Sequence, residues 1–485
     1  MTNYDSPSDL ERLRDSIDAA WDQARKFGLD PFPTHFELVP ASIMYEFASY
    51  SIPGRFSHWT FGKAYYRQKM QYDLGLSKIY EMVVNTNPSY AFLMEMNNLL
   101  QNTFVAAHVF GHTDFFKNNT YFNHTSRRMI DKASVHAERI AKYEFDHGRD
   151  EVERFLDAVL SIQEHVDYNL LLREQDDEKD KKEEKSKTKP SSEYEDLWGL
   201  EQKEKKVQEE RDQRPGKPPK FPEKPEKDLL LFLSRHAPHL QPWQRDIIEI
   251  VRAEMLYFVP QMQTKVMNEG WASTWHSRIM RELGDSSIIS DSDFVEFAQL
   301  HSSVLTPSRT SLNPYYIGYK IFEDIERRWD NPTTEEQEQL GRQPGMGRQK
   351  LFEVREMEND VSFLRNYLTK DLIKDLDLYL YKKEGDEWVI VEKNWHKVRD
   401  TIVTNMTNFG HPYLVVDNGD YRGNRELYIK HLHEGQELDL HYAEKTLQHV
   451  YVLWGRPVHL ETVYENKRIL LTYDGERNSK STLEK

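Results

Sequence analysis

From Arg173 to Asp228 the chain is built of Glu, Lys, Asp, Gln and Pro with almost no aliphatic residue. Such a stretch buries too little apolar surface to offset the entropy of ordering it, and it reads as a tether. Its one apolar island, Tyr194, Leu197, Trp198 and Leu200, could dock back onto a core. Any core must therefore be assembled from the apolar blocks on either side. A chain of 485 residues has enough length for this, and although only 38% of it is hydrophobic, 12% is aromatic, so large rings supply much of the buriable surface.

In the first block, residues 8–28 and 76–171 carry apolar positions at helical spacing, as in Phe155, Leu156, Val159, Leu160 and Ile162, and are predicted as long helices. Between them, Arg55-Phe56-Ser57-His58-Trp59-Thr60-Phe61-Gly62-Lys63 keeps no clean period and reads as packed loops around short helices. Helical signals resume from Leu229 to about Leu283, punctuated by Pro238, Pro242 and Pro260, and again from Tyr315 to Trp329. After Asp377 short alternating runs take over: 378–382, 388–391, 413–417, 426–431, 450–453, 458–463 and 468–473. Asn418-Gly419 and Asp474-Gly475 serve as turns. The expected fold is mainly α, a large helical N-terminal domain with a small α+β C-terminal domain. Its expected divisions are a helical core at 1–171 and 229–376, a charged linker at 172–228 and the α+β domain at 377–475.

A formal charge of -16 without a clustered basic face argues against nucleic acid as a partner. The absence of cysteine excludes disulfides, thiolate metal sites and cysteine nucleophiles, and fits a cytoplasmic address. Met1–Arg14 is too polar for a secretory signal, and no run of 18 uncharged apolar residues supports a transmembrane helix. Peripheral membrane attachment stays open.

The sharpest chemical pattern is His108-Val109-Phe110-Gly111-His112. On a helix the two imidazoles project to one side and can chelate a metal such as zinc or another divalent ion. The familiar two-histidine zinc helix has Glu after the first His as general base; here Val109 occupies that place. Asn268-Glu269-Gly270-Trp271-Ala272-Ser273-Thr274-Trp275-His276 sets Glu269 and His276 two turns apart on one face, able to complete the site. Glu254 is a candidate base or further ligand, while His301 and Tyr315 are candidate donors to an oxyanion. Equally, these groups read as hydrogen-bonded buried polar residues that fix helix packing. A third group, His136, Glu138, Glu144, Glu153, Asp157 and His165, lacks the spacing of a two-metal bundle and reads as solvated ion pairs. No phosphate loop, dinucleotide fingerprint or serine elbow is present.

The segments from Arg55 to Lys63, His108 to Phe116, Asn268 to Ala272 and Asn313 to Tyr319 resemble, in order and spread, the stage V sporulation protein R (SpoVR) family. The resemblance implies a role in forming the spore cortex, a peptidoglycan layer. It also implies relatives in bacteria that do not sporulate, often encoded near a serine kinase, so protein partners and a general stress or envelope role are implied as well. No settled enzymatic activity comes with it. Separately, Asn-Glu-Gly-Trp-Ala, the histidine pair and a later Tyr-x-x-Gly resemble parts of the gluzincin zinc metallopeptidases, which implies His108, His112 and Glu269 as ligands. Two readings follow: a regulatory or partner-binding factor of cortex formation, and a metal-dependent hydrolase of a peptide or peptidoglycan bond that lacks the usual glutamate base.

Overall fold

In the computed structural model the described residues are 4, 6–73, 81–170, 221–286, 288–307, 311–385 and 387–483. The Trp198 island and most of the charged segment lie outside them. In chain order the elements are α1 (Pro7–Lys26), β1 (Thr34–Val39), α2 (Ala41–Tyr50), α3 (Trp59–Asp73), β2 (Glu81–Val84), β3 (Ser89–Met94), α4 (Leu99–Asn118), α5 (Met129–His147) and α6 (Arg149–Leu160). Then come α7 (Leu229–His236), α8 (Pro242–Gln263), α9 (Lys265–Asp285), α10 (Asp291–Val304), α11 (Pro314–Asp330), α12 (Thr334–Leu340), α13 (Gly347–Met357), α14 (Asp360–Tyr367) and α15 (Lys370–Asp375). The remainder is β4 (Leu380–Glu384), β5 (Glu387–Glu392), α16 (Trp395–Met406), β6 (Leu414–Tyr421), β7 (Glu426–His431), α17 (Leu440–Trp454), β8 (Val458–Tyr464), β9 (Lys467–Tyr473) and β10 (Asn478–Thr482). The fold is mainly α, with a sheet-bearing C-terminal region, as the periodicities predict.

The chain divides into two units, residues 1–142 with 257–411, and residues 143–256 with 412–485. The stretch from Asp377 to His411 thus belongs to the first unit, and the five-stranded sheet to the second.

The first unit is built around α4, whose residues from Asn102 to Phe116 are all buried. A helix buried on every side has to be enclosed by others. Asn98 and Gln101 cap its start reciprocally, satisfying two otherwise orphaned amides. Helix α9 lies against it, carrying Trp271 and Trp275, both fully buried and packed edge to face at 5.3 Å. Close approach is set by glycine. A Cβ on Gly111 would stand 2.6 Å from the Ala272 Cα, and one on Gly270 would run into the Gly318 backbone on α11. The start of α9 has no side-chain cap from its own Thr264. Asp360 of α14 supplies it instead, accepting from the Val266 and Met267 amides at 2.9 Å each.

Two strands within 76–171 correct the all-helical expectation there. β3 pairs in parallel with β1 and antiparallel with β2, giving the order β1-β3-β2. They are short, and the apolar run Tyr90–Met94 carries no period that separates strand from buried helix.

In the second unit the sheet order is β10-β9-β8-β7-β6, antiparallel except for β7 and β8. Parallel neighbours need a crossover, and α17 provides it. Residues 450–453, expected as a strand, are therefore its last turns. Asn418-Gly419, expected as a turn, lies inside β6 at a register irregularity, and the reversal falls at 422–425. The end of the charged segment is built into this unit: Glu226 bridges Val416, and Asp228 caps α7 while pairing with Arg252 at 2.8 Å.

Candidate metal centre

Three elements of the first unit converge on one point. α4 presents His108 and His112 from successive turns, α9 presents Glu269, and β2 presents Glu81 from its first position. His108 Nε2 lies 3.5 Å from the Glu81 carboxylate and 3.6 Å from that of Glu269; His112 Nε2 lies 3.8 and 3.5 Å from the same two. Ligand atoms at the ordinary ~2.0–2.2 Å of zinc–nitrogen and zinc–oxygen bonds stand about 3.3–3.6 Å apart at the corners of a tetrahedron, and the four imidazole–carboxylate distances are close to that. His108 Nε2 and Glu269 Oε2 are buried without a hydrogen-bond partner among the described residues. Such orphaned atoms are costly unless something binds them.

The far sides of the rings fix which nitrogens face the centre. His112 Nδ1 is 2.9 Å from Asn268 Oδ1, an acceptor as oriented, so Nδ1 carries the hydrogen and Nε2 keeps its lone pair. His108 Nδ1 is 2.7 Å from His276 Nδ1, and His276 Nε2 is 2.8 Å from His301 Nδ1. When His108 offers its Nε2 lone pair inward, its Nδ1–H donates to His276, whose Nε2–H donates to His301. One hydrogen-bond direction then runs through all three rings. Asn268, next to Glu269 in the chain, and His276 thus orient the two imidazoles.

The charges are mutually adjusted. Burial pushes the Glu81 carboxyl up, opposed by His108 and reinforced by Glu269. Burial would lower His108, but the Glu81 and Glu269 carboxylates outweigh it and raise it. Burial and the neighbouring His108 lower His112 to about 4, and His276 falls well below its ordinary value for the same reasons. Glu269 is held low: its burial is outweighed by the two imidazoles and Lys265. Tyr315 lies nearly parallel to His108 at 5.9 Å, its phenol kept protonated by burial and by both carboxylates.

Of the residues the sequence singles out, His108, His112, Glu269, His276, His301 and Tyr315 come together. His276 comes as a support of His108, with both its nitrogens engaged by other histidines. Glu254 is buried on α8 and belongs to the second unit. Glu81 escaped sequence reasoning. Its one signal is a lone acid opening the apolar run Met82-Val83-Val84, which becomes meaningful only when β2 is known to pass α4. Glu81, His108 and His112 have ligand atoms within 4.8 Å of one another.

The class so defined is a mainly helical protein in which two buried histidines face two half-buried carboxylates. The chain belongs to the SpoVR family: the model described as SpoVR like protein matches residues 7–411, and that of the SpoVR-like C-terminal domain matches 412–465. It is 30% identical over 507 aligned positions, 97% of this chain and 98% of the relative, to the "Uncharacterized protein YcgB" of Escherichia coli (strain K12). No solved structure matches the chain.

Proposed function

We propose that this chain is a metal-dependent hydrolase of an amide bond in a peptide or peptidoglycan, with a divalent cation held by His108, His112 and Glu269. The observation that supports it most is the inward convergence of two Nε2 atoms and two carboxylates, with His108 Nε2 and Glu269 Oε2 buried and without a hydrogen-bond partner among the described residues. A bound divalent ion would acidify a water and polarise a carbonyl. Glu81 takes the place that Val109 cannot fill: it enters from β2 at 3.5 and 3.8 Å from the imidazoles, close enough to complete the ligand set or accept a proton. Tyr315 is a protonated donor beside the same point and suits an oxyanion. His276 and His301 hold His108 in the tautomer that faces inward.

The setting that goes with the family is the spore cortex, or the envelope in relatives that do not sporulate, reached from the cytoplasm and with a serine kinase system among the partners. A second reading, a regulatory cortex factor that binds protein partners and keeps the centre for structure, draws on the family match and on Val109. Elemental analysis of the purified full chain separates these readings together with a muropeptide hydrolysis assay. We expect about one zinc, iron or manganese per chain, lost in His108→Ala, and amide cleavage lost with it. Absence of metal after exposure to all three ions ends the metal reading. Metal without cleavage favours the regulatory one.

A further inference from the structure

Helix α3 has two unlike faces. Inward, Phe61 packs on Tyr50 at 5.3 Å and on Phe56 at 5.8 Å, and Gln68 accepts from the Ser49 hydroxyl at 3.0 Å, so the helix is fixed against α2. Outward, Trp59, Tyr66 and Met70 are 52%, 72% and 57% exposed. At about 100° per residue these three fall within a ~40° arc, while exposed Lys63, Arg67 and Lys69 lie on its two sides, within about 80° of its centre. No acidic residue occurs in α3 before Asp73, in a chain of 81 acidic and 65 basic residues. A local cationic face on an anionic protein needs a reason.

We infer that α3 is an in-plane anchor for an anionic membrane surface, seating Trp59, Tyr66 and Met70 among the acyl and headgroup boundary while Lys63 and Arg67 meet lipid phosphates. Charge complementarity and side-chain chemistry choose this occupant. Trp and Tyr favour the interface between water and hydrocarbon, and an apolar row flanked by cations is the pattern of helices that lie in that plane. Phosphate headgroups reward each nearby cation. Trp, Tyr, Met and Arg also suit a protein partner, and it is the lysines beside them, a residue type depleted where proteins dock, that favour lipid. Nothing in this inference depends on the metal centre.

Co-sedimentation of the full chain with phosphatidylglycerol vesicles and with phosphatidylcholine vesicles tests it. Lys63→Glu with Arg67→Glu, and Tyr66→Ser with Met70→Ser, serve as paired variants, each checked for an unchanged circular dichroism spectrum and melting temperature. We expect the parent chain to partition onto the anionic vesicles and not the neutral ones, and each double variant to partition at least about tenfold more weakly. A parent chain that stays in the supernatant with phosphatidylglycerol overturns the inference. So does equal binding to both lipids, or loss of binding in the charge variant but not in the apolar one, which marks simple adsorption.

Discussion

At the scale of single residues, the motif glycines are as informative as the ligands. Gly111 sits between the two histidines and Gly270 follows Glu269, and each lets a ligand-bearing helix approach its neighbour backbone to backbone. In Gly270→Ala the new methyl meets Gly318 backbone, which cannot swing away as a long side chain can. We expect a loss of about 2–3 kcal/mol in thermal unfolding, with metal content reduced because the Glu269 carboxylate is displaced. A variant as stable and as metal-loaded as the parent contradicts this account of the crossing. His276→Ala keeps all the inward-facing atoms yet leaves the His108 Nδ1–H unsupported. Metal affinity should fall by roughly 10–100-fold in a competition titration, more than a remote packing change would cause. An unchanged affinity removes His276 from the support.

At the scale of elements, α9 begins by borrowing a cap. Burial is the strongest influence on Asp360 and raises its carboxyl from 3.8 to about 7, against the pull of the Val266, Met267 and Lys265 amides and the Lys265 charge. A group with a raised folded pKa contributes stability that is complete below its unfolded value and lost as pH rises through its folded one. The window here runs from about 4 to about 7 and the change is on the order of a few kcal/mol. Asp360→Asn removes this titration at the cost of one amide bond. The difference in melting temperature between parent and variant should therefore narrow as pH rises from about 4.5 to about 8. A pH-independent difference rules the coupling out.

For the whole molecule, the second unit joins residues far apart in the chain. α17 packs on α6, where Phe155 and Leu156 are buried, and β6 meets α7, where Phe232 is buried. Phe232 stacks on Trp454 at 5.8 Å, and Trp454 donates its indole hydrogen to the Arg425 carbonyl at 2.7 Å. The two family models meet at 411 and 412, but a chain stopped at His411 leaves those apolar faces uncovered. We expect it to aggregate or be rapidly proteolysed within 143–256. A monodisperse, protease-resistant chain of residues 1–411 refutes this.

The sequence alone determined the helical class and the histidine pair, because both are local: apolar residues recur at the period of a helix, and two imidazoles four positions apart must share a side. It also brought Glu269, His276, His301 and Tyr315 forward through their motifs. It did not separate β2 and β3 from buried helix, or the end of α17 from a strand, since a short apolar run enclosed on all sides has no period to read. Nor could it pick out the outward face of α3 while that segment read as loops around short helices. Tertiary structure decided that Glu81 faces the pair and that His276 stands behind His108. Both follow from how a strand edge and a second helix are laid against α4. Helical and strand periods relate only near neighbours in the chain, so the meaning of Glu81 depends on a helix that begins well beyond their reach.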